Sequence, residues 1–330
     1  MSPCKSDFTY YDSPEFLSLS LHLLTTLSTP IYFLGLYCIL FKTPKAMNSV
    51  KWSLFALHFW IVLLDYTIGV LLVPYLLIPE LAMMTSGVLS YLEVPHLFDT
   101  TYGIISVANV FVAMLAVYEN RFFILCDFRF KQFWSRIRKG WILIHYLSVI
   151  VLTLPVAFLI PDQESAKRDV FQNLPCLPDY IYNGNVFVIA FDLTYHIICS
   201  CSFTTQLLSE TGFYIQRLIL NGRKQQKSNT ISQKTYQMHR QFLIALLIQM
   251  TIPITMLVIP FAHCFFAIFF NYYNQFTIHI VVILFSSHGL LSTLVMILVH
   301  RPYRFAVKEL IGKTGIIALN RRKSTVVSIH

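Results

Sequence analysis

Apolar residues fall into seven long runs along the chain, approximately 17–41, 52–78, 97–118, 141–160, 184–209, 241–270 and 276–299, separated by short polar connections. Each run reaches the roughly 20 residues that a helix needs to cross about 30 Å of hydrocarbon. The fourth, WILIHYLSVIVLTLPVAFLI, carries no Asp, Glu, Lys or Arg, and neither do the sixth and seventh. None shows the strict alternation of a barrel strand. The pattern predicts an all-α membrane protein, a seven-transmembrane helix bundle with an N-terminal tail at 1–16, a membrane domain at 17–299 and a C-terminal tail at 300–330. Beyond the last run, Tyr303, Val307, Leu310 and Ile311 recur at helical spacing, with Arg304 and Lys308 on a different face. That spacing predicts a short amphipathic helix on the membrane surface.

Composition excludes a soluble fold. Of 330 residues, 56% are hydrophobic and 12% charged, whereas a soluble domain carries about 25% charged residues. The net charge of +9 raises nucleic acid as a partner, but the short connections leave no soluble basic domain to hold it. Position along the chain explains the charge instead. Of the 25 Lys and Arg, 22 fall in alternate connections and the C-terminal tail, leaving only Lys5, Lys167 and Arg168 on the other side. Basic flanks are retained in the cytoplasm, which predicts an outer N-terminus and an inner C-terminus. The first sixteen residues are polar and acidic, so no removable signal peptide is expected. Only Cys4 and Cys176 of the seven cysteines fall in outer segments. Either they form a disulfide joining the tail to the second outer loop, or both are free thiols.

Several polar residues inside the runs invite a functional reading beside a structural one. Asp65 lies midway along the second run, where a carboxylate is costly and must face the bundle interior. It is either a polar hub, alone or with a cation or a proton, that biases inactive against active packing, or a protonated, hydrogen-bonded structural acid. Asp192 and His196 sit four residues apart in the fifth run, and Tyr102, His263 and His279 lie at similar depth in the third, sixth and seventh. Convergence of a few such groups in an apolar cavity suits a small ligand; packing alone is the alternative for each. Pro155, Pro253 and Pro260 offer either hinges or static bends. No spacing for a metal or cofactor site is present.

Dispersed, ordered matches carry a family resemblance: Ser13-Pro14-Glu15-Phe16-Leu17, Tyr37-Cys38-Ile39-Leu40-Phe41-Lys42-Thr43-Pro44-Lys45, Val50-Lys51-Trp52-Ser53, Leu57-His58-Phe59-Trp60, Leu63-Leu64-Asp65, Pro74-Tyr75-Leu76-Leu77, Glu119-Asn120-Arg121 and His300-Arg301-Pro302-Tyr303-Arg304. Together they resemble the nematode serpentine receptor class h (Srh) chemoreceptors. The resemblance implies a chemosensory G-protein-coupled receptor in the plasma membrane, in the cilia of sensory neurons, with an odorant or water-soluble attractant or repellent as ligand. It also implies a heterotrimeric G protein met by Glu119, Asn120 and Arg121. Glu119 and Arg121, two residues apart, point about 200° away from each other on a helix, so a local lock between them is not expected. A small-solute transporter or ligand-gated channel is the alternative function. It calls for several intramembrane charges or internal repeats, and the sequence has neither. Paired catalytic carboxylates, HExxH and Gly-x-Ser-x-Gly are also missing, so an enzyme is not expected.

Overall fold

The computed structural model describes residues 8–312 apart from 175, 192–193 and 229–231. The first helix, α1 (Pro14–Phe41), starts where Ser13 accepts the Phe16 N–H at 3.2 Å, with Pro14 in its first turn and Glu15 beside the positive helix end. Leu17, Leu21, Thr25, Ser28 and Tyr32 are buried, while Leu19, Leu23 and Leu27 are exposed. One face therefore meets the bundle and the other is left for lipid.

Helix α2 (Asn48–Tyr66) widens into a π-helical turn over Thr67–Leu72 and stops at Val73, whose φ is 44°. The second apolar run, expected to span 52–78, thus leaves the helix six residues early. Pro74 explains the exit, since it can neither donate the next helical hydrogen bond nor leave Val73 free to stay helical. The remainder forms an antiparallel hairpin, β1 (Pro74–Leu77) with β2 (Ala82–Thr85), pairing Tyr75 with Met84. The short β3 (Phe187–Val188) adds to β2 through Ala82 and Val188. Tyr75, Leu77 and Ala82 are at most 1% exposed, so these apolar residues are covered by protein rather than by lipid.

Helix α3 (His96–Leu125) is buried along most of its length and packs on α2, on α4 (Lys131–Phe158) and on α5 (Thr194–Ser228). A loop helix, Gln163–Asn173, follows α4; Asp162 caps it by accepting the Ser165 N–H at 3.0 Å, which holds the Asp162 carboxyl below the usual range. The Gln163 amide then acts as a strand neighbour, accepting from Val188 N–H and donating to Val188 O. The fifth run, expected at 184–209, opens as β3, and its helix begins at Thr194 and runs on to Ser228. Helix α6 (Gln233–Phe269) leads to α7, which is broken into Gln275–Ser286 and His288–Val299 at Ser287. Residues 301–312 form α8. Tyr303 and Ala306 turn into the bundle, and Phe305, Leu310 and Ile311 are exposed, which suits a helix resting on a membrane surface.

Six helical segments among the described residues are long and apolar enough to span a membrane: Pro14–Phe41, Asn48–Leu72, His96–Leu125, Lys131–Phe158, Leu243–Phe269 and Gln275–Val299. Helix α5, whose inner end is polar, is the seventh of the bundle. We call the end bearing the basic connections the inner end.

Candidate functional site

Three polar clusters lie along the bundle. The middle one is built on Asp65, 2% exposed on α2. The Tyr32 hydroxyl of α1 donates to Asp65 Oδ2, and His288 Nδ1 lies 2.9 Å from Oδ1 and 2.8 Å from Phe285 O. The break in α7 makes this possible, because it releases the Phe285 carbonyl and turns His288 inward. Gly289 follows, and a Cβ there would collide with the Asp65 carboxylate. Only glycine lets α7 approach so closely. His58 Nε2 is 3.1 Å from the Tyr32 backbone O, and its ring meets the tyrosine ring edge to face with centroids 6.3 Å apart. The expected hub residue therefore joins α1, α2 and α7, through two partners, Tyr32 and His288, that sequence reasoning did not name.

The inner cluster gathers the Glu119-Asn120-Arg121 run. Glu119 is 0% exposed and receives a fork from Arg138 of α4, with Nε to Oε1 at 3.0 Å and Nη2 to Oε2 at 2.6 Å. Trp134 Nε1–H donates to the same carboxylate at 2.7 Å. Arg138 also reaches Asn120 Oδ1 at 2.8 Å, and Asn120 donates to Ser49 O on α2 at 2.8 Å. Glu119 is thus tied to α4 and not to Arg121, as the 200° rotation between them requires. Arg121 turns to the opposite side, where its charge bears on His300 and Tyr303 at the exit of α7. His300 Nε2 meets Gln249 Oε1 of α6 at 3.1 Å, and Tyr303 OH meets Thr43 Oγ1 at 2.9 Å. Burial and the Arg121 charge together push the His300 imidazole down to about 4. Helices α1, α3, α6 and α7 are joined at this level.

The outer residues are less convergent. Among the described residues, no hydrogen bond or ring contact links Tyr102, His196, His263 and His279 to one another. Tyr102 stacks on Phe98 of its own helix, centroids 5.9 Å apart. His279 spends its nitrogens on Gln275 Nε2 (3.0 Å) and Tyr11 O (2.9 Å), and its ring meets Tyr75 and Phe16. It ties the N-terminal turn Tyr10–Asp12 over the bundle mouth, helped by the Tyr75 hydroxyl donating to Asp12 O at 3.0 Å. His196, by contrast, has both ring nitrogens buried without a hydrogen-bond partner among the described residues, and so does Nε2 of His263. Asp192 and Cys4 lie outside the described residues. Cys176, the other half of the expected bridge, is disulfide-bonded. A further buried carboxylate, Asp99, lies in the first turn of α3; it is 0% exposed, 3.4 Å from Thr85 Oγ1 and 3.7 Å from His96 Nδ1.

The family model described as serpentine type 7TM GPCR chemoreceptor Srh matches residues 12–313. Serpentine receptor class H-72 of Caenorhabditis elegans is 25% identical over 319 residues, spanning 94% of this chain and 90% of that one. Squid rhodopsin superposes with a TM-score of 0.52 over 93% of this chain and 88% of its own, at 9% identity. The last likeness is one of fold alone.

Proposed function

The chain belongs to the Srh family of serpentine seven-transmembrane G-protein-coupled chemoreceptors, and from that premise we propose that it detects a small external chemical in its outer half and passes the signal to a heterotrimeric G protein at its basic inner end. The observation that carries this reading is the inner layer. Arg121 is buried beneath His300 and Tyr303, with α6 fastened to α7 through Gln249 and His300. A G protein gains access to Arg121 only if α6 and α7 part, so the described arrangement is the closed, resting one. The Asp65 hub lies between the two ends on α1, α2 and α7. It transmits a change at the outer mouth to the inner layer by repacking the break at Ser287.

In this reading the N-terminus is outside, the protein spans the plasma membrane of a sensory cilium, and Tyr102, Asp192, His196 and His263 hold the ligand. Both ring nitrogens of His196 and Nε2 of His263, buried without a hydrogen-bond partner among the described residues, favour hydrogen bonding to a guest, because an unmatched buried polar atom is costly. His279 acts as the tie that holds the N-terminal turn over the mouth. Expression in cultured cells with a calcium or cAMP reporter, against a broad panel of small organic compounds, tests the proposal. A responding compound should lose potency in His196→Ala and His263→Ala. Unmoved dose-response curves in both variants would remove the pocket, and ionic current without G protein would remove the receptor mechanism.

A further inference from the structure

A cavity of about 380 Å³ opens between α4 and α5 towards the inner end, lined by Trp134, Trp141, Ser209, Glu210, Phe213 and Tyr214. It is separate from the outer mouth and from the Asp65 hub. Its aromatic walls stand at steep angles to one another: Trp134 to Trp141 at 59°, Trp141 to Tyr214 at 85°, and Phe213 to Tyr214 at 70°. Rings set this way meet tilted or edge to face and not as a stack, leaving faces open to a guest. Inside it is one carboxylate. Gln206 Nε2 donates to Glu210 Oε1 at 3.0 Å, while Oε2 is buried without a hydrogen-bond partner among the described residues, its nearest cationic candidate being His145 Nε2 at 3.3 Å.

Four aromatic rings beside a carboxylate that keeps one oxygen without a hydrogen bond among the described residues are what a desolvated cation needs. The ring faces supply cation–π attraction and the carboxylate supplies charge. A primary ammonium would bring three N–H donors and need an acceptor for each, whereas the lining is mostly ring face, with Glu210 and the Ser209 and Tyr214 hydroxyls as its side-chain acceptors. A quaternary ammonium has no N–H to satisfy and fits better. Surroundings fix the source. Leu143, Ile144 and Leu147, which follow Trp141 along α4, and Leu208, which precedes Ser209, are exposed, as lipid-facing residues are, and Arg217 lies over the Phe213 ring at 5.1 Å on the inner side. The opening therefore sits where hydrocarbon gives way to headgroups.

We propose that this cavity is a binding site for the choline headgroup of an inner-leaflet phosphatidylcholine. Trp134 gives the site a connection to signalling, because the ring that walls the cavity also donates its N–H to Glu119. An occupied cage holds that tryptophan, and through it the Glu119–Arg138 fork, in place.

The test uses the full-length receptor, reconstituted in nanodiscs of equal phosphatidylcholine and phosphatidylglycerol and transferred to detergent, with retained lipids counted by native mass spectrometry. Wild type should keep phosphatidylcholine in preference to phosphatidylglycerol, and added tetramethylammonium should displace it. Glu210→Gln and Phe213→Ala should each lower the preference by about tenfold. Phe213 is 44% exposed and the Gln substitution is nearly isosteric, so both variants keep the bundle. Trp52→Ala, which removes an exposed ring elsewhere, should leave the preference unchanged. Equal retention of the two lipids by wild type would overturn the site and leave basic residues binding phosphate as the explanation. An unchanged preference in both cage variants would overturn it as well.

Discussion

Removing the Arg138 side chain should be among the most damaging single changes at the inner end. Glu119 is fully buried, and Arg138 supplies two of its three described hydrogen bonds, at 2.6 and 3.0 Å, leaving Trp134 Nε1–H as the last donor. Breaking a buried ion pair from one side costs about 3–5 kcal/mol, because the other charge stays desolvated. At about 2–4 °C of melting temperature per kcal/mol for a chain of this order of size, Arg138→Ala should lower the transition of the purified receptor by on the order of 10 °C. Glu119→Gln/Arg138→Ala should recover a large part of the loss, since the stranded charge is gone. Arg138→Lys should fall between, keeping the charge but not the fork. Arg121→Ala leaves every described Glu119 bond intact and should not mimic Arg138→Ala. Differential scanning fluorimetry in one detergent reads all four variants. A shift of under about 2 °C for Arg138→Ala, or a double variant no better than the single, would refute the claim that Glu119 depends on α4.

Other consequences follow from the same contacts. In Gly289→Ala the new methyl group would press on the Asp65 carboxylate and lie 2.9 Å from the Tyr32 hydroxyl, so a loss of about 1–3 kcal/mol is expected in thermal unfolding. His300 is held near 4 when folded against an ordinary value of 6.5, so the unfolded chain takes up the proton first. Stability from this residue is present above pH 6.5 and is lost as pH falls toward 4, and His300→Gln should flatten that part of the melting-temperature profile. For Cys176, non-reducing peptide mapping should recover it in a disulfide with Cys4; two alkylated free thiols would remove the bridge.

The bundle was legible because lipid demands uninterrupted apolar runs, and nothing else in this chain produces them. The same reasoning misread residues 74–78. Their apolar side chains are buried by the N-terminal turn and the second outer loop, and a hydropathy run does not distinguish protein cover from lipid. Pro74 and Pro79 were the available signal that the helix had ended. Asp65 stood out because a mid-span carboxylate must be matched, but Tyr32 and His288 are its partners through tertiary packing, 33 and 223 positions away in the chain. Glu119 is similar. The geometry of a helix excluded Arg121 as its partner, yet Arg138 had been counted only as one of the inner charges that set topology. His279 was assigned to a pocket from its depth alone, and depth does not reveal that its nitrogens are already engaged by Gln275 and Tyr11.

The central claim is that an external chemical changes the inner end of this bundle so that a G protein can act on it. The most direct measurement is nucleotide exchange on a purified heterotrimeric G protein by the nanodisc receptor, with and without a compound that emerges from the cell-based panel. Exchange should rise when the compound is added and stay at its resting rate when Arg121 is replaced by Ala. A compound that binds the receptor and drives ionic current, with exchange unchanged across the available G proteins, would contradict it.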